Sequence, residues 1–349
     1  MFNKILYAIV IAVLIFVVGG LLLPGTVHVE RSVFIARPAS TVFSLLNSFE
    51  SFEQWSPWAD RDPQTVYEYS GPESGIGSRM DWSGDPRLVG SGWQEITQSV
   101  PYSRVGMHLD FDQQGKANTY FDIVSVPDGV QLTWGFDTDL VEGQGLFGGI
   151  LARYFGLFFD QWIGGDYEKG LARLKILAES LPAGNFEGLD VQILDVEPLD
   201  ILFISSSVSR EFGDIGESLA AAFREISEFM AKHGIEMTAQ PLAITRAWDD
   251  RAYEFDAAIP VEMKQVELEG RIQSGQSPSG RAVRVVHRGP YDQMSPSYEK
   301  LAAYMAAHGL KEGRISWEHY VSDPGETLPE DLITHIYYLV DTDSERSGS

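Results

Sequence analysis

The first hydrophobic pattern in the chain is an unbroken apolar run near its amino-terminal end. Residues 5–23 read ILYAIVIAVLIFVVGGLLL, nineteen positions without a charged side chain. As an α-helix this run extends about 28 Å, close to the hydrocarbon thickness of a bilayer. It therefore predicts a transmembrane anchor.

A cleaved signal peptide is the alternative for this run. Val18 and Gly20 are small enough to border a cleavage site, although the run is longer than the hydrophobic region of a typical signal peptide. Lys4 precedes the run while Arg31 and Arg37 follow it, so the charges leave the membrane orientation open. We expect a single-pass protein of the bacterial inner membrane.

After the anchor, the pattern becomes that of a soluble α+β domain. Alternation over residues 26–36 predicts a strand. Pro38 with Ser40 or Thr41 then predicts the start of a short helix. Short runs separated by turn sequences predict an antiparallel meander over residues 67–134, and a long amphipathic helix follows over residues 155–178.

Several segments of this first domain resemble the SRPBCC superfamily, the helix-grip fold of polyketide cyclases and START-type lipid carriers. The resemblance covers residues 26–178 and rests on the segments RSVFIARPASTVFSLLNSFESFEQWSPW, YSGPESGIGSRMDWSG, LVGSGWQEI and GGDYEKGLARLK. It implies a curved sheet around a long helix, with a cavity for a lipid-like ligand. Since this fold serves carriers, cyclases and stress proteins alike, it does not identify an activity.

Tryptophans are the most conspicuous side chains of the first domain. They line a ligand cavity or fill the core, and the sequence leaves both interpretations open for Trp55, Trp58, Trp82, Trp93 and Trp134. We interpret His108 as a strand residue rather than a catalyst.

Residues 179–187 have the proline, glycine and acidic content of a linker, and an internal repeat follows them. FREISEFMAKHGI, residues 223–235, is answered 75 positions later by YEKLAAYMAAHGL, residues 298–310. One strand precedes each helix and two follow it. The second half is therefore predicted to be a duplicated strand-helix-strand-strand unit over residues 188–341, before a disordered tail at 342–349.

Both predicted helices of the repeat have recognisable ends. Ser295 and Pro296 begin the second helix, and Gly234 and Gly309 terminate the two copies. His233 and His308 precede these glycines, where an imidazole interacts favourably with the negative end of the helix dipole. We prefer this interpretation to a metal-binding histidine pair, and we expect no metal and no cofactor.

The duplicated half resembles the GyrI-like domain, the effector-binding module of AraC- and MerR-type regulators. The resemblance rests on VVHRGPYDQMSPSYEKLAAYMAAHGL and SWEHYVSDPGETLPEDLITHIYYLV. In that family the helices of the two copies enclose a pocket for bulky, often cationic and aromatic compounds. The resemblance implies a pocket carboxylate at Glu318, with Tyr320 beside it and Tyr291 at the rim.

Strand alternation supports the same assignment independently. Glu318 and Tyr320 are two positions apart and share one face, whereas Trp317 and His319 face the other. A carboxylate among aromatic rings would neutralise an organic cation, and we add Trp248 as a further ligand-binding candidate. The alternative is a solvated strand charge.

The first copy has no carboxylate at the position matching Glu318. When Asp249 is set against Asp323, Glu318 aligns with Ile244. If the pocket is shared between the copies, the second copy supplies its one charge.

Charge and composition exclude several classes of function. The formal net charge is -24, with 50 acidic against 26 basic residues, which disfavours contact with a phosphate backbone. No helix-turn-helix precedes the repeat, so we expect no nucleic-acid partner. The chain has no cysteine, which removes thiol catalysis and thiolate metal sites.

Three functions remain at this stage. The leading one is a membrane-anchored protein that binds a hydrophobic or cationic aromatic molecule. The second, which the GyrI-like resemblance implies, is a hydrolase of strained electrophilic compounds that uses Glu318 and a nearby tyrosine, although no second titrating group has a fixed spacing to Glu318. The third is a non-enzymatic platform for protein interactions. The sequence leaves the ligand, the oligomeric state and any coupling between the domains open.

Overall fold

The computed structural model describes residues 2–112, 115–249 and 252–340, and it divides into two compact units near residues 187 and 188. Each unit is a mixed α+β domain built on one antiparallel sheet. The tail predicted at 342–349 lies outside the described residues.

The first unit begins with the apolar helix α1, Phe2–Leu22, and continues with β1, Thr26–Ile35, as the sequence predicts. Two short helices follow, α2 over Ala39–Leu46 and α3 over Phe52–Trp55. Helix α2 begins at the predicted position, although no side chain caps it with a hydrogen bond. Pro38 holds the N-cap position in an extended conformation, and Ser40 and Thr41 are buried inside the first turn.

The predicted meander forms a seven-stranded sheet in the order β1-β7-β6-β5-β4-β3-β2. Its remaining strands are β2 Val66–Ser70, β3 Arg79–Ser83, β4 Ser91–Val100, β5 Arg104–Asp110, β6 Lys116–Val126 and β7 Gly129–Asp139. His108 lies in β5, where its Nδ1 is 3.0 Å from Asn118 Oδ1 on β6.

Two helices close this unit where the sequence predicted one over residues 155–178. Helix α4 covers Leu146–Gly156, and α5 covers Phe159–Ser180. Leu157 and Phe158, between the two helices, are apolar and exposed. Helix α5 packs Tyr167, Leu171 and Leu174 into the core against the sheet.

Aromatic side chains fill the space between α5 and the sheet. Trp55 and Trp134 are each 3% exposed, and the Trp134 ring stacks on Tyr167 with centroids 3.8 Å apart. The void left among them is about 20 Å³, room for one water molecule. Trp82 packs on Phe111 and Trp93 on His108, outside this void. In this conformation Trp55 and Trp134 are core residues.

The second unit is an eight-stranded sheet in the order β12-β9-β11-β10-β14-β15-β13-β8. The predicted copies appear as β9 Asp200–Val208, α6 Phe212–His233, β10 Leu242–Trp248 and β11 Tyr253–Pro260, then β13 Gly280–Arg288, α7 Ser295–Ala307, β14 Glu312–Tyr320 and β15 Ile333–Val340. The outer strands β8, Val191–Val196, and β12, Gln273–Gln276, were not predicted. The predicted duplication is confirmed.

Glycines end the two helices as predicted. Gly234 and Gly309 have φ angles of 62° and 64°, a left-handed conformation that costs glycine little. His233 is the last residue of α6, and its Nε2 lies 3.3 Å from Glu269 Oε1. Helix α7 ends one residue before His308.

The two helices lie on one face of the sheet. Helix α6 packs Ile226 and Phe229 against strand residues of the first copy, Ile204 and Phe255. Helix α7 packs Leu301 and Met305 against strand residues of the second copy, Val283, Val285 and Ile336. The other face has its own cluster, in which Trp317 and Tyr337 stack with centroids 4.8 Å apart. Side chains of alternate residues therefore serve two separate cores.

Strands β10 and β14 join the copies, and the pairing reveals a local two-fold axis. Ala243 pairs with Glu318, Leu242 with His319 and Ile244 with Trp317. The helices of the two copies are 75 positions apart in the sequence, and so are Ala243 and Glu318. Ala243 is therefore paired with its own equivalent in the second copy, which places the axis at this pair. The predicted match of Glu318 to Ile244 was wrong, because β10 has a bulge between Thr245 and Ala247 that shifts the alignment anchored at Asp249 by one residue.

Candidate functional site

Glu318 lies at the centre of the seam between the two copies, the line along which β10 pairs with β14, and on the sheet face that carries the helices. Its Oε1 accepts a hydrogen bond of 2.5 Å from the Tyr298 hydroxyl, and its Oε2 accepts one of 2.7 Å from the Tyr320 hydroxyl. Bonds to an ionised acceptor are shorter and stronger than neutral ones. Both carboxylate oxygens are thus held by phenol donors.

The local folds of β14 and α7 produce this arrangement. Alternation along β14 places Glu318 and Tyr320 on one face and buries Trp317 on the other, where it is 2% exposed. Tyr298 precedes Leu301 by three positions, so it shares the helix stripe that packs on the sheet. The packing of α7 therefore directs its hydroxyl toward the strand.

A tight turn brings Tyr291 to the same place. Gly289 has φ 126°, which a side chain rarely permits, and its backbone N–H donates to the Leu332 carbonyl at 2.9 Å. The buried His287 supports the turn through contacts of 3.2 Å from Nε2 to the Pro290 carbonyl and 2.9 Å from Nδ1 to Ser297 Oγ. The Tyr291 ring then lies 5.4 Å from the Tyr320 ring, edge to face.

The first copy adds aromatic groups from the other side of the seam. Phe223 of α6 lies 6.1 Å from the Tyr320 ring, also edge to face. Tyr253 of β11 is 6% exposed, and its hydroxyl is 3.3 Å from Thr245 Oγ1. Its pKa is raised by burial and then by the charge of Glu318, which shows that it lies within electrostatic reach of that carboxylate.

Burial dominates the electrostatics of the site. It raises the pKa of Glu318, although the hydrogen bonds from Tyr298 and Tyr320, and to a lesser extent the charge of His287, act in the opposite direction by stabilising the carboxylate. The pKa values of both tyrosines rise well above the usual range, first because of burial and then because of the neighbouring Glu318 charge. Both phenols therefore remain protonated donors near neutral pH.

The four residues expected from the sequence are placed unequally. Glu318, Tyr320 and Tyr291 form one connected group. Trp248 is 53% exposed and stands one ring away, 5.0 Å from Tyr253 and 4.8 Å from the Arg210 guanidinium. Trp248 borders the group only through Tyr253.

Sequence reasoning missed Tyr298, Tyr253 and Phe223. The repeat itself carried a usable signal, because the spacing of 75 aligns Phe223 with Tyr298. It also aligns Ala243 with Glu318 and Thr245 with Tyr320, so the second copy has a polar group at each position where the first has a smaller or less polar one. The site is symmetric in backbone and asymmetric in chemistry.

Two sequence families match the chain. Residues 189–341 match the GyrI-like small molecule binding domain, and residues 26–179 match the family described as polyketide cyclase/dehydrase and lipid transport. No curated protein sequence matches it.

Three similar solved structures each cover less than half of this chain. The C-terminal domain of EcmrR has 17% identity and a TM-score of 0.39, covering 44% of this chain and 98% of its own. A hydrolase from Listeria innocua has 17% identity and a TM-score of 0.34, with coverages of 43% and 91%. The di-domain ARO/CYC StfQ from the steffimycin biosynthetic pathway has 14% identity and a TM-score of 0.33, with coverages of 44% and 51%.

Proposed function

We propose, on the premise that this chain joins a polyketide cyclase-like domain to a GyrI-like small-molecule-binding domain, that it is a membrane-anchored receptor for aromatic organic cations. The ligand binds over Glu318. The observation that carries the proposal is a half-buried carboxylate, held by two phenol hydroxyls, in a group of aromatic rings.

The charge of Glu318 favours a cationic ligand. Within the described part of the chain, its hydrogen-bond partners are tyrosine hydroxyls, and no lysine or arginine there forms a salt bridge with it. Removing a carboxylate from water without a full counter-charge is costly, and the raised pKa of Glu318 reflects that cost. A bound cation would supply the missing positive charge.

The rings around the carboxylate favour an aromatic or bulky cation. Tyr291, Tyr320 and Phe223 meet edge to face in the same group. A cation over such a ring gains about 0.5 to 2 kcal/mol from the ring quadrupole, more when water is excluded. Trp248 and Tyr253 extend the aromatic surface toward the outside.

The test is calorimetric titration of the full chain in lipid nanodiscs with tetraphenylphosphonium. The variant Glu318→Gln keeps size and shape but removes the charge, and we expect it to weaken binding at least about tenfold, equivalent to about 1.4 kcal/mol. Triphenylphosphine oxide, which is neutral, is the matched probe and should bind both proteins alike. Equal tetraphenylphosphonium affinities for the two proteins would refute the proposal.

Membrane anchoring by α1 is the second part of the proposal. The segment Lys4–Leu22 has a mean hydropathy of 3.0 and is 6% buried, so it is not the core helix of a soluble domain. A signal sequence has the same composition. Mass spectrometry of the mature protein distinguishes the two, because cleavage would remove Gly20 and everything before it.

The polyketide cyclase-like domain contributes less to the proposal. A lipid-like ligand there would have to displace Trp55, Trp134 or Tyr167, since the void among them is about 20 Å³. The binding function is therefore assigned to the GyrI-like domain.

Hydrolysis of an electrophilic compound is the second candidate, and one observation favours it. Tyr298, which was not predicted, and Tyr320 both provide hydroxyl groups in contact with Glu318. In this role water would attack an epoxide carbon and pass a proton to Glu318, while the ring C–O bond breaks and a phenol donates its proton to the released oxygen. Proton transfer from Glu318 to the phenolate would then restore both groups. Hydrolysis of styrene oxide by the native chain, lost in Glu318→Gln, is the expected result. Turnover that persists in that variant excludes this role.

A further inference from the structure

We propose that α4 and the start of α5 form a second membrane contact, inserted into the lipid interface beside α1. The inference rests on the anchoring part of the proposed function and is independent of the ligand. It assigns the bilayer as the partner of an exposed apolar ridge formed by Phe147, Leu151, Phe155, Phe158 and Trp162.

Helix α4 packs directly on the last turns of α1. The rings of Phe16 and Tyr154 stack with centroids 4.6 Å apart, and the Tyr154 hydroxyl donates to the Phe16 carbonyl at 2.9 Å. A Cβ atom on Gly20 would lie 2.6 Å from Ile150 Cγ2, and one on Gly19 would lie 2.6 Å from the Tyr154 hydroxyl. The glycine pair thus permits the close helix approach typical of packing inside membranes.

The depth of this contact follows from the geometry of α1. From Phe16 to Leu22 the helix rises about 9 Å. Since Lys4–Leu22 is about as long as the hydrocarbon core is thick, the last 9 Å lie in its outer third. Side chains of α4 that touch Phe16 and Gly20 must lie at that depth when α1 spans the bilayer.

The side of α4 that does not face α1 is apolar and exposed. Phe147, Leu151, Phe155, Phe158 and Trp162 recur every three or four residues and are 78%, 51%, 51%, 50% and 54% exposed. On α4 this spacing places Phe147, Leu151 and Phe155 on one side of the helix. The exposed rings of Phe158 and Trp162, stacked with centroids 5.9 Å apart, extend this ridge across the junction into α5. In water this would be an unusually long stretch of uncovered aromatic and aliphatic surface.

Polar groups mark where the ridge leaves the hydrocarbon. Arg153 is the only charged residue of α4, and its Nη1 donates to the Leu23 carbonyl at 2.5 Å, at the end of α1. Asp160, in the first turn of α5, pairs with Arg31 of β1. Trp162 follows, and tryptophan is enriched at the level of the headgroups.

The bilayer is favoured over a protein partner because the ridge is continuous with α1. The exposed side of α1, including Ile11, Leu14 and Ile15, must face lipid if α1 spans the membrane. Helix α4 touches the same helix within its last two turns. A surface so placed meets lipid before it can meet a soluble protein.

Site-directed spin labelling tests this on the full chain in nanodiscs, and the absence of cysteine makes single labels simple to place. Labels go on Phe147→Cys and Leu151→Cys, with Ile11→Cys in α1 as the lipid reference. Glu68→Cys, on the exposed strand β2 at the far edge of the sheet from β1, is the water reference. The measurement is collision of each label with oxygen, which concentrates in lipid, and with a nickel chelate, which stays in water.

We expect the ratio of oxygen to nickel collisions at 147 and 151 to exceed that at 68 at least about fivefold and to approach that at 11. Lipid exposure at 11 with water exposure at 147 and 151 would overturn the inference and leave the anchor intact. Water exposure at 11 as well would remove the anchor and the inference together. Labels at 147 and 151 shielded from both reagents would show a protein partner instead and also overturn it.

Discussion

At the scale of single residues, Glu318 is the group on which the chemistry depends. Burial favours its neutral form, while the hydroxyls of Tyr298 and Tyr320 favour its charged form. Because these effects oppose each other, the charge of Glu318 depends on pH. Cation affinity should fall as pH drops, and because the pKa of Glu318 is raised, this fall begins above the ordinary range of a glutamate.

Tyr298→Phe should move that pH dependence upward. The change removes a hydrogen bond that lowers the pKa of Glu318, so the carboxylate protonates at higher pH and tetraphenylphosphonium affinity is lost earlier on acidification. The cost in folding free energy should be about 1 kcal/mol. Titrations at several pH values between 5 and 8 measure the midpoint of the loss.

Tyr304→Phe is the matched control for this change. Tyr304 lies on the same helix and packs against the cluster of Leu301 and Met305. Its midpoint should coincide with that of the native chain. A Tyr298→Phe midpoint that stays at the native value would contradict the assigned role of the Tyr298 hydroxyl.

His319 should make the GyrI-like domain sensitive to acid. Burial, and then the charge of His335, lowers the pKa of His319 to about 4 from 6.5. A base with a lowered folded-state pKa binds fewer protons than the unfolded chain in this window, so stability is full above pH 6.5 and falls as pH decreases toward 4. Urea unfolding at pH 7 and pH 5 should show a smaller loss of stability in His319→Gln than in the native chain.

His28→Gln is the control, because the pKa of His28 is shifted in the opposite direction to that of His319. The side chain of Asp137 raises the pKa of His28, so its contribution is present at low pH and lost as pH rises through the folded-state pKa. This variant should show an acid loss at least as large as that of the native chain. The same reduction in both variants would exclude the specific role of His319.

At the scale of secondary structure elements, the repeat was the most predictable feature. Matching helices ended by Gly234 and Gly309 and the alternation around Glu318 are visible in the sequence because they depend on local periodicity. Both copies and the face shared by Glu318 and Tyr320 follow from it. Tyr291 was named from a family resemblance, and the turn at Gly289 shows why it approaches Tyr320.

The features that could not be predicted depend on packing and pairing between distant segments, which periodicity does not encode. Tyr298 reads as one more apolar residue of a helix stripe, and only the packing of α7 over β14 shows that its hydroxyl reaches Glu318. The bulge in β10 moved the alignment by one residue, which exchanges the two faces of a strand. The junction of α4 and α5 was missed because exposed and buried apolar residues look alike in a sequence.

The contact of α1 with α4 should fail when Gly20 acquires a branched side chain. In Gly20→Val the new Cβ would collide with Ile150 Cγ2, so α4 must move away at a cost of about 1 to 3 kcal/mol. Spin labels on Leu14→Cys and Leu151→Cys should then show a longer and broader distance distribution. The exposed position Ala12→Val on the same helix is the control and should leave the distribution unchanged.

At the scale of the whole molecule, the net charge of -24 should assist cation capture. Raising ionic strength from about 20 mM to about 300 mM shortens the screening length to below 10 Å, so tetraphenylphosphonium affinity should decrease. Glu318→Gln should retain a smaller salt dependence, since the other acidic residues remain. The neutral triphenylphosphine oxide should show none, and a cation affinity independent of salt would contradict a role for the overall charge.

The two-fold axis through Ala243 and Glu318 bears on how such a site could arise. In a dimer of identical single copies, a residue on the axis faces its own duplicate at a cross-strand Cβ distance of about 5 Å. An acid placed there would meet a second acid, and the two would share one proton instead of offering a free negative charge. Fusion of the copies into one polypeptide frees the two positions to differ. A solitary anion at the centre of a symmetric scaffold is therefore something that gene duplication makes accessible and a symmetric ancestor could not have had.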